Sequence, residues 1–263
     1  MSTNSDKEAL YLQKRFVELA NRCYQRNIYT YTDFLNLNEQ SIFQSHINEL
    51  PPVKWEMDGG NEYAERKLII FQPSYLDDAK DDFYEFSKPY QILLLEPRNK
   101  KFSEELTHRD VLGTLMSLGI ERSKIGDIFL QKNEQKIYLI VLKSLTSFIC
   151  ENLIKVRNTL IKCTIVKEFH FIFQPEFELI QKTVSSVRLD RISSIAFNIS
   201  RSMVVNYIEN GMVFVNGKKI TSNAYHLKEN DIISIRKLGR YIYSGEQAIT
   251  KKGRLLIQIK KYI

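Results

Sequence analysis

The chain has 263 residues, with 38 Lys and Arg against 31 Asp and Glu and a formal charge of +7 at pH 7. Apolar residues make up 43% of it, enough for two or three small cores, and no apolar run approaches the length of a membrane span. The N-terminus lacks a basic-then-apolar leader, so a soluble cytoplasmic protein is expected.

Three cysteines, Cys23, Cys150 and Cys163, without C-x-x-C spacing, point away from a disulfide scaffold and from a zinc module. The charge is unevenly placed. Residues 181–263 hold 15 basic against 5 acidic side chains, whereas residues 1–180 hold 23 against 26. A basic C-terminal third on a nearly neutral body is the footprint expected of a nucleic-acid partner.

Residues 1–65 read as a helical N-terminal domain. Leu10, Phe16, Val17, Leu19 and Ala20 give the buried side of a first helix, and a second follows near 35–47, with Thr32-Asp33 offering a cap. Tyr24, Tyr29, Tyr31 and Phe34 are read as core rather than as a base-stacking surface.

From residue 66 to 173 strands and helices alternate: strand 68–71, acidic helix 75–86, strand 92–96, helix 107–118, strands 125–130 and 137–142, helix 144–160, strand 163–169. This contains the β-α-β-β-α-β order of a ferredoxin-like or RNA-recognition-type α/β domain. Thr107 caps its helix, Gly113 allows close packing, Gly119 ends the helix, and Gly126-Asp127 starts or bulges a strand. His108 and Asp110 lie two apart on a helix and cannot face each other as an acid–base pair. Residues 174–183 read as a short linker.

Residues 184–263 carry the most specific pattern. Leu189, Ile192, Ile195 and Ile199 mark one helix face, with Arg188 and Arg191 beside it. Ser200 caps a second helix, with Met203, Val204, Tyr207 and Ile208 inward and Gly211 as its stop. Strand 212–215, the Asn216-Gly217 turn and Lys218-Lys219 form a hairpin, and Asp231 opens a strand in which Ile233 and Ile235 alternate with Ser234 and Arg236. Two further strands, 241–248 and 255–259, extend the sheet. A helix N-terminus with serines and arginines around it is suited to phosphate oxygens. Arg188, Arg191, Ser200, Arg201, Ser202, Lys218, Lys219, Arg236, Lys237 and Arg240 are therefore the candidate RNA contacts.

The order R-L-D-R-I, S-R-S, I-E-N-G-M-V-F-V-N-G and D-I-I-S-I-R resembles the alpha-L RNA-binding motif first described in ribosomal protein S-four. Asn230 stands where that family usually has Gly; Asn tolerates positive φ, so the turn is expected to survive. The T-H-R-D-V-L-G-T-L-M-S-L-G-I-E-R-S-K-I-G-D-I-F-L stretch, with the whole domain order, resembles the YlmH family of bacterial RNA-binding proteins. An α+β fold and a monomer without metal or cofactor are expected, and the resemblance implies a ribosome-associated protein. It also implies binding to the large subunit and tRNA in rescue of stalled translation.

Two alternatives stand beside it: an RNA-modifying enzyme of the pseudouridine-synthase type, and a cell-division scaffold. R-L-D at 188–190 is similar to part of the synthase motif, but Val187 replaces its His and Ser193-Ser194-Ile195 its T-S-G. Neither phosphate-binding glycine loops nor H-E-x-x-H or G-x-S-x-G occur, so a non-enzyme is expected, with Asp190 pairing with a nearby base or capping backbone.

Overall fold

The computed structural model describes residues 4–73, 88–166, 175–251 and 253–263. It divides into two compact units, Met1–Phe173 and Gln174–Ile263. The helix expected over 75–86 lies outside the described residues.

In the first unit, α1 (Asn4–Arg26) buries Phe16, Leu19, Ala20 and Cys23, which recur at three- and four-residue steps, while Leu10 turns out half-exposed. Helix α2 (Leu37–Ser45) is capped by Asn36 rather than by Thr32-Asp33. Asn36 Oδ1 accepts the Glu39 N–H and the Glu39 carboxylate accepts the Asn36 N–H in return. Thr32 instead serves a sheet, its hydroxyl accepting the Ile69 N–H at 3.0 Å. Of the four aromatic residues read as core, Phe34 is buried, whereas Tyr24 and Tyr31 stand out in solvent.

This region is not helical alone. Strands β1 (Thr30–Tyr31), β2 (Lys54–Asp58) and β3 (Leu68–Gln72) form an antiparallel sheet in the order β1-β3-β2. Residues 68–71 of β3 are all apolar because both faces of the strand are covered there. Ile69 and Phe71 pack with α1 and α2, while Leu68 and Ile70 pack with the neighbouring sheet.

That neighbour consists of β4 (Tyr90–Pro97), α3 (His108–Ser117), β5 (Ile125–Gln131), β6 (Lys136–Leu142), α4 (Thr146–Asn152), β7 (Lys155–Val156) and β8 (Thr159–Val166). Its antiparallel order β5-β6-β4-β8-β7 is the ferredoxin-like arrangement with one added strand. The expected helix over 144–160 stops at Asn152, because Val156 and Thr159 pair across a turn in which Arg157 has φ +51°.

Val111, Leu115 and Ile149 from the two helices cover one face of this sheet. The other face presents Tyr90, Ile92, Phe129 and Ile140 to Phe34, Leu68 and Ile70. In RNA-recognition folds this second face stacks bases; here that part of it is core. Gly126 makes the close approach, since a Cβ there would lie 3.0 Å from Phe34 and 3.1 Å from Ile140. Gly113, expected in that role, has no neighbour within 4 Å of such a Cβ. Asp127 fastens the two sheets, its half-buried carboxylate accepting the Glu65 N–H at 2.6 Å and the Arg66 N–H at 3.3 Å.

The second unit packs α5 (Leu189–Phe197) and α6 (Arg201–Glu209) on a six-stranded antiparallel sheet. The strands are β9 (Phe177–Val184), β10 (Val213–Val215), β11 (Lys218–Lys219), β12 (Ile232–Ile235), β13 (Gly239–Ile249) and β14 (Leu255–Tyr262), in the order β11-β10-β12-β13-β14-β9. Residues 177–183, expected as linker, thus belong to an edge strand paired along its whole length with β14. Asn216 and Gly217 take φ +49° and +74°, as a two-residue primed turn requires, and Asn230 has φ +65°.

Tyr241 is the largest wholly buried side chain and sits at the centre of this core. Its ring meets Phe197 edge-on at 5.7 Å, and its hydroxyl pairs with the Ser193 hydroxyl at 2.8 Å. Tyr241→Phe leaves the buried Ser193 hydroxyl without that partner, so we expect a loss of about 1–3 kcal/mol in urea unfolding of this unit.

Candidate nucleic-acid interface

The five helix-side candidates gather around Asp190. Its side chain is only 3% exposed and lies in the first turn of α5. It accepts hydrogen bonds from Arg188 Nε and Nη2, both at 3.2 Å, and from Arg201 Nη2 at 2.5 Å. Burial pushes the Asp190 carboxyl up, but the hydrogen bonds and charges of Arg201 and Arg188 outweigh it and hold it below the usual carboxylate range. Asp190 therefore stays ionised and fixes two guanidinium groups that would otherwise sweep through solvent.

Arg188 occupies the N-cap position of α5, and Arg201 opens α6. Ser200 caps α6 by accepting the Met203 N–H at 3.3 Å and shares a 2.9 Å hydrogen bond with the Ser202 hydroxyl. Arg201 and Ser202 are exposed there, at the positive end of the helix dipole. Arg191, one residue past Asp190, donates to the Ser185 hydroxyl at 2.8 Å. Met203, expected inside, is half-exposed beside this cluster.

The other five candidates fall elsewhere. Lys218 and Lys219 form the edge strand β11. Lys219 pairs with Phe214 and Arg240 with Ser234, positions that alternate with the core residues Val213, Val215, Ile233 and Ile235 and so lie on the sheet face away from the helices. The Arg236 guanidinium covers the Phe214 ring on that same face, 5.1 Å from its centroid. Lys237, at φ +72°, lines a cavity of about 210 Å³ with Asn206, Tyr207, Asn210 and Met212 on the α6 side. The hairpin carrying the lysines is locked by Asp231, which accepts from Asn216 Nδ2 at 2.8 Å and from the Lys228 N–H at 2.7 Å.

Asp190 as an anchor is visible in sequence as a carboxylate amid arginines. Phe214, Lys260 and Phe177 escape a reading of the sequence, because what brings them together is strand register. Among the described residues there is no cluster of three or more His, Cys, Asp or Glu side chains placed to hold a metal ion, and no helix is long and apolar enough to cross a membrane.

A two-helix, small-sheet unit that presents buried-carboxylate-anchored arginines at adjoining helix ends defines an RNA-binding protein of the S-four-domain class. Residues 187–233 match the family model described as "S4 domain", and residues 87–169 match "Putative RNA-binding domain in YlmH". The chain thus carries a YlmH-type RNA-binding domain followed by an S4 domain. It is 29% identical over 234 residues to "Ribosome-associated protein quality control protein P2" of Bacillus subtilis (strain 168), covering 88% of this chain and 86% of that one. It is also similar to a solved structure, "Cell division protein ylmH from Streptococcus pneumoniae", at 19% identity and a TM-score of 0.46, over 63% of this chain and 93% of that one.

Proposed function

We propose that the protein is a non-catalytic, cytoplasmic, monomeric RNA-binding protein that joins the ribosome through the large subunit and tRNA and acts in quality control of stalled translation. The observation that carries this reading is the Asp190 anchor, which holds Arg188 and Arg201 beside the capped N-terminus of α6. Such a surface grips phosphates by position and charge and leaves sequence unread, as binding to structured RNA requires. The name of the Bacillus subtilis relative supplies the ribosomal setting. Asp190 is engaged by two arginines, which supports an anchoring role over that of a nucleophile toward a base. The ten candidate contacts, and a division into an N-terminal region, a ferredoxin-like domain and a C-terminal RNA-binding domain, belong to this proposal.

The test is sedimentation of cell lysate on a sucrose gradient. Reversing Arg201 would set a second carboxylate against Asp190 and threaten the fold, so the informative variant is Arg191→Glu/Lys218→Glu. Wild type is expected to travel with the large subunit and the variant to remain at the top. Wild type that stays at the top with no enriched RNA would refute the reading.

A further inference from the structure

The sheet of the second unit has a helix-covered face and an open one. Cross-strand register places Lys219, Phe214, Ser234 and Arg240 in one row of the open face, and Ile232, Ile242, Lys260 and Leu179 in the next. At its far edge Phe177 and Tyr262 meet at 4.9 Å, and Lys260 Nζ lies 6.0 Å from the centre of the Phe177 ring. Leu179 is 64% exposed and Lys219, Arg236 and Arg240 are exposed, while Phe214, Phe177, Tyr262 and Lys260 are half-buried, each keeping part of its surface on this face.

The sign of this face is uniform. Lys219, Arg236, Arg240 and Lys260 lie on it, and among the described residues no Asp or Glu occupies one of its cross-strand positions. The nearest paired carboxylate on β9, Glu178, points to the opposite side with Lys261. A solvated sheet face whose only purpose is solubility mixes both signs. This one interleaves cations with flat side chains, and the Arg236 guanidinium, seated on Phe214, turns a second planar surface outward.

We propose that this open face is a second RNA site that takes a single-stranded segment, the phosphates meeting Lys219, Arg240 and Lys260 and the bases stacking on the Arg236–Phe214 pair and the Phe177–Tyr262 edge. Stacking on aromatic and guanidinium planes suits unpaired bases, whose faces are open, and not a duplex, whose faces are closed. Six strands at about 4.8 Å spacing make the platform about 24 Å wide. The proposal rests on the RNA-binding reading of the domain and adds that it holds two RNA elements at once, one on each side.

The test uses the full chain with two probes, a fluorescent single-stranded oligouridylate 12-mer and a fluorescent RNA hairpin, titrated over a range of salt. Arg240→Gln/Lys260→Gln is expected to weaken the oligouridylate about tenfold and to lower its salt slope by about 1.4, for two phosphates at about 0.7 each, while hairpin affinity holds. Arg191→Gln/Lys218→Gln is expected to do the converse, and excess hairpin is expected to leave the oligouridylate bound. A sheet-face variant with unchanged oligouridylate affinity and slope, or displacement of one probe by the other, overturns the second site. In either case the helix-side reading stands if the hairpin still binds. Wild type that binds neither probe overturns both.

Discussion

Raising salt from about 50 to about 200 mM is expected to weaken the complex with an RNA hairpin by about 10³-fold, if about six phosphates are neutralised. The cations on the helix side supply most of that number: Arg188, Arg191, Arg201, Lys218 and Lys237. Each phosphate they neutralise releases condensed counterions, so the logarithm of affinity falls with that of salt at about 0.9 per contact for a duplex. Arg191→Gln/Lys218→Gln should reduce the slope by about 2, because Lys218 is exposed on β11, Arg191 is held only by the Ser185 hydroxyl, and neither serves an ion pair among the described residues. A slope below about 2 in wild type would mean that few phosphates are engaged. The phosphate-grip account would then fail.

Asp190→Ala is expected to cost about 2 kcal/mol of stability in the second unit, at the low end for breaking a buried ion pair because both arginine partners can still reach water. It should also weaken hairpin RNA about tenfold even though the surface becomes more positive. Freed guanidinium groups must be re-ordered on binding, at about 0.5–1.5 kcal/mol for each long side chain. The direction of that second effect is diagnostic, since a purely Coulombic surface would gain affinity.

The same residue sets a pH signature. The folded Asp190 carboxyl is held below its unfolded value of about 3.9, so its contribution to stability is present in full above that pH and lost as pH falls through the folded value. Asp190→Asn should lack this part of the acid loss. An acid-unfolding curve identical in slope for that variant and for wild type would show that the ion pairs do not contribute.

Features set by neighbours along the chain are legible in the sequence itself. The Ser200 cap, the Asn216-Gly217 turn, the Gly211 stop and the positive φ at Asn230 all depend on residues within a few positions. So does the order of strands and helices over β4 to β8, although the apolar pattern over 144–160 runs on as helix through what is a short β7–β8 turn. Features that depend on what arrives from afar are less accessible. The apolar run at Leu68–Phe71 has the same appearance whichever sheet claims it, and β3 joins the N-terminal one because β1 and β2 flank it.

The candidate contacts divide for the same reason. The positions of Lys and Arg along the chain carry no information about faces until the pairing of Phe214 with Ser234, and of Ser234 with Arg240, is known. Arg236, in the turn after β12, and Arg240, on β13, prove to share a face, whereas Arg201 and Arg236 serve different ones. The burial of Asp190 has a local cue in its arginine neighbours, but its grip on Arg201 spans two helices.

The edge strand β9 has a further consequence for how the chain is made. Glu178 and Lys261, which meet across β9 and β14, are 83 residues apart in sequence. A polypeptide delivered from its N-terminus therefore presents β9, with Ile180 on the core-facing side and Leu179 in solvent, long before β14 can cover its hydrogen-bonding edge. The two helices and the first hairpin can assemble in the interval, but the sheet closes only when the final strand leaves the exit tunnel. The second unit is thus finished late, as a non-local step, and a chain cut short before Leu255 carries an open strand edge that marks it as incomplete.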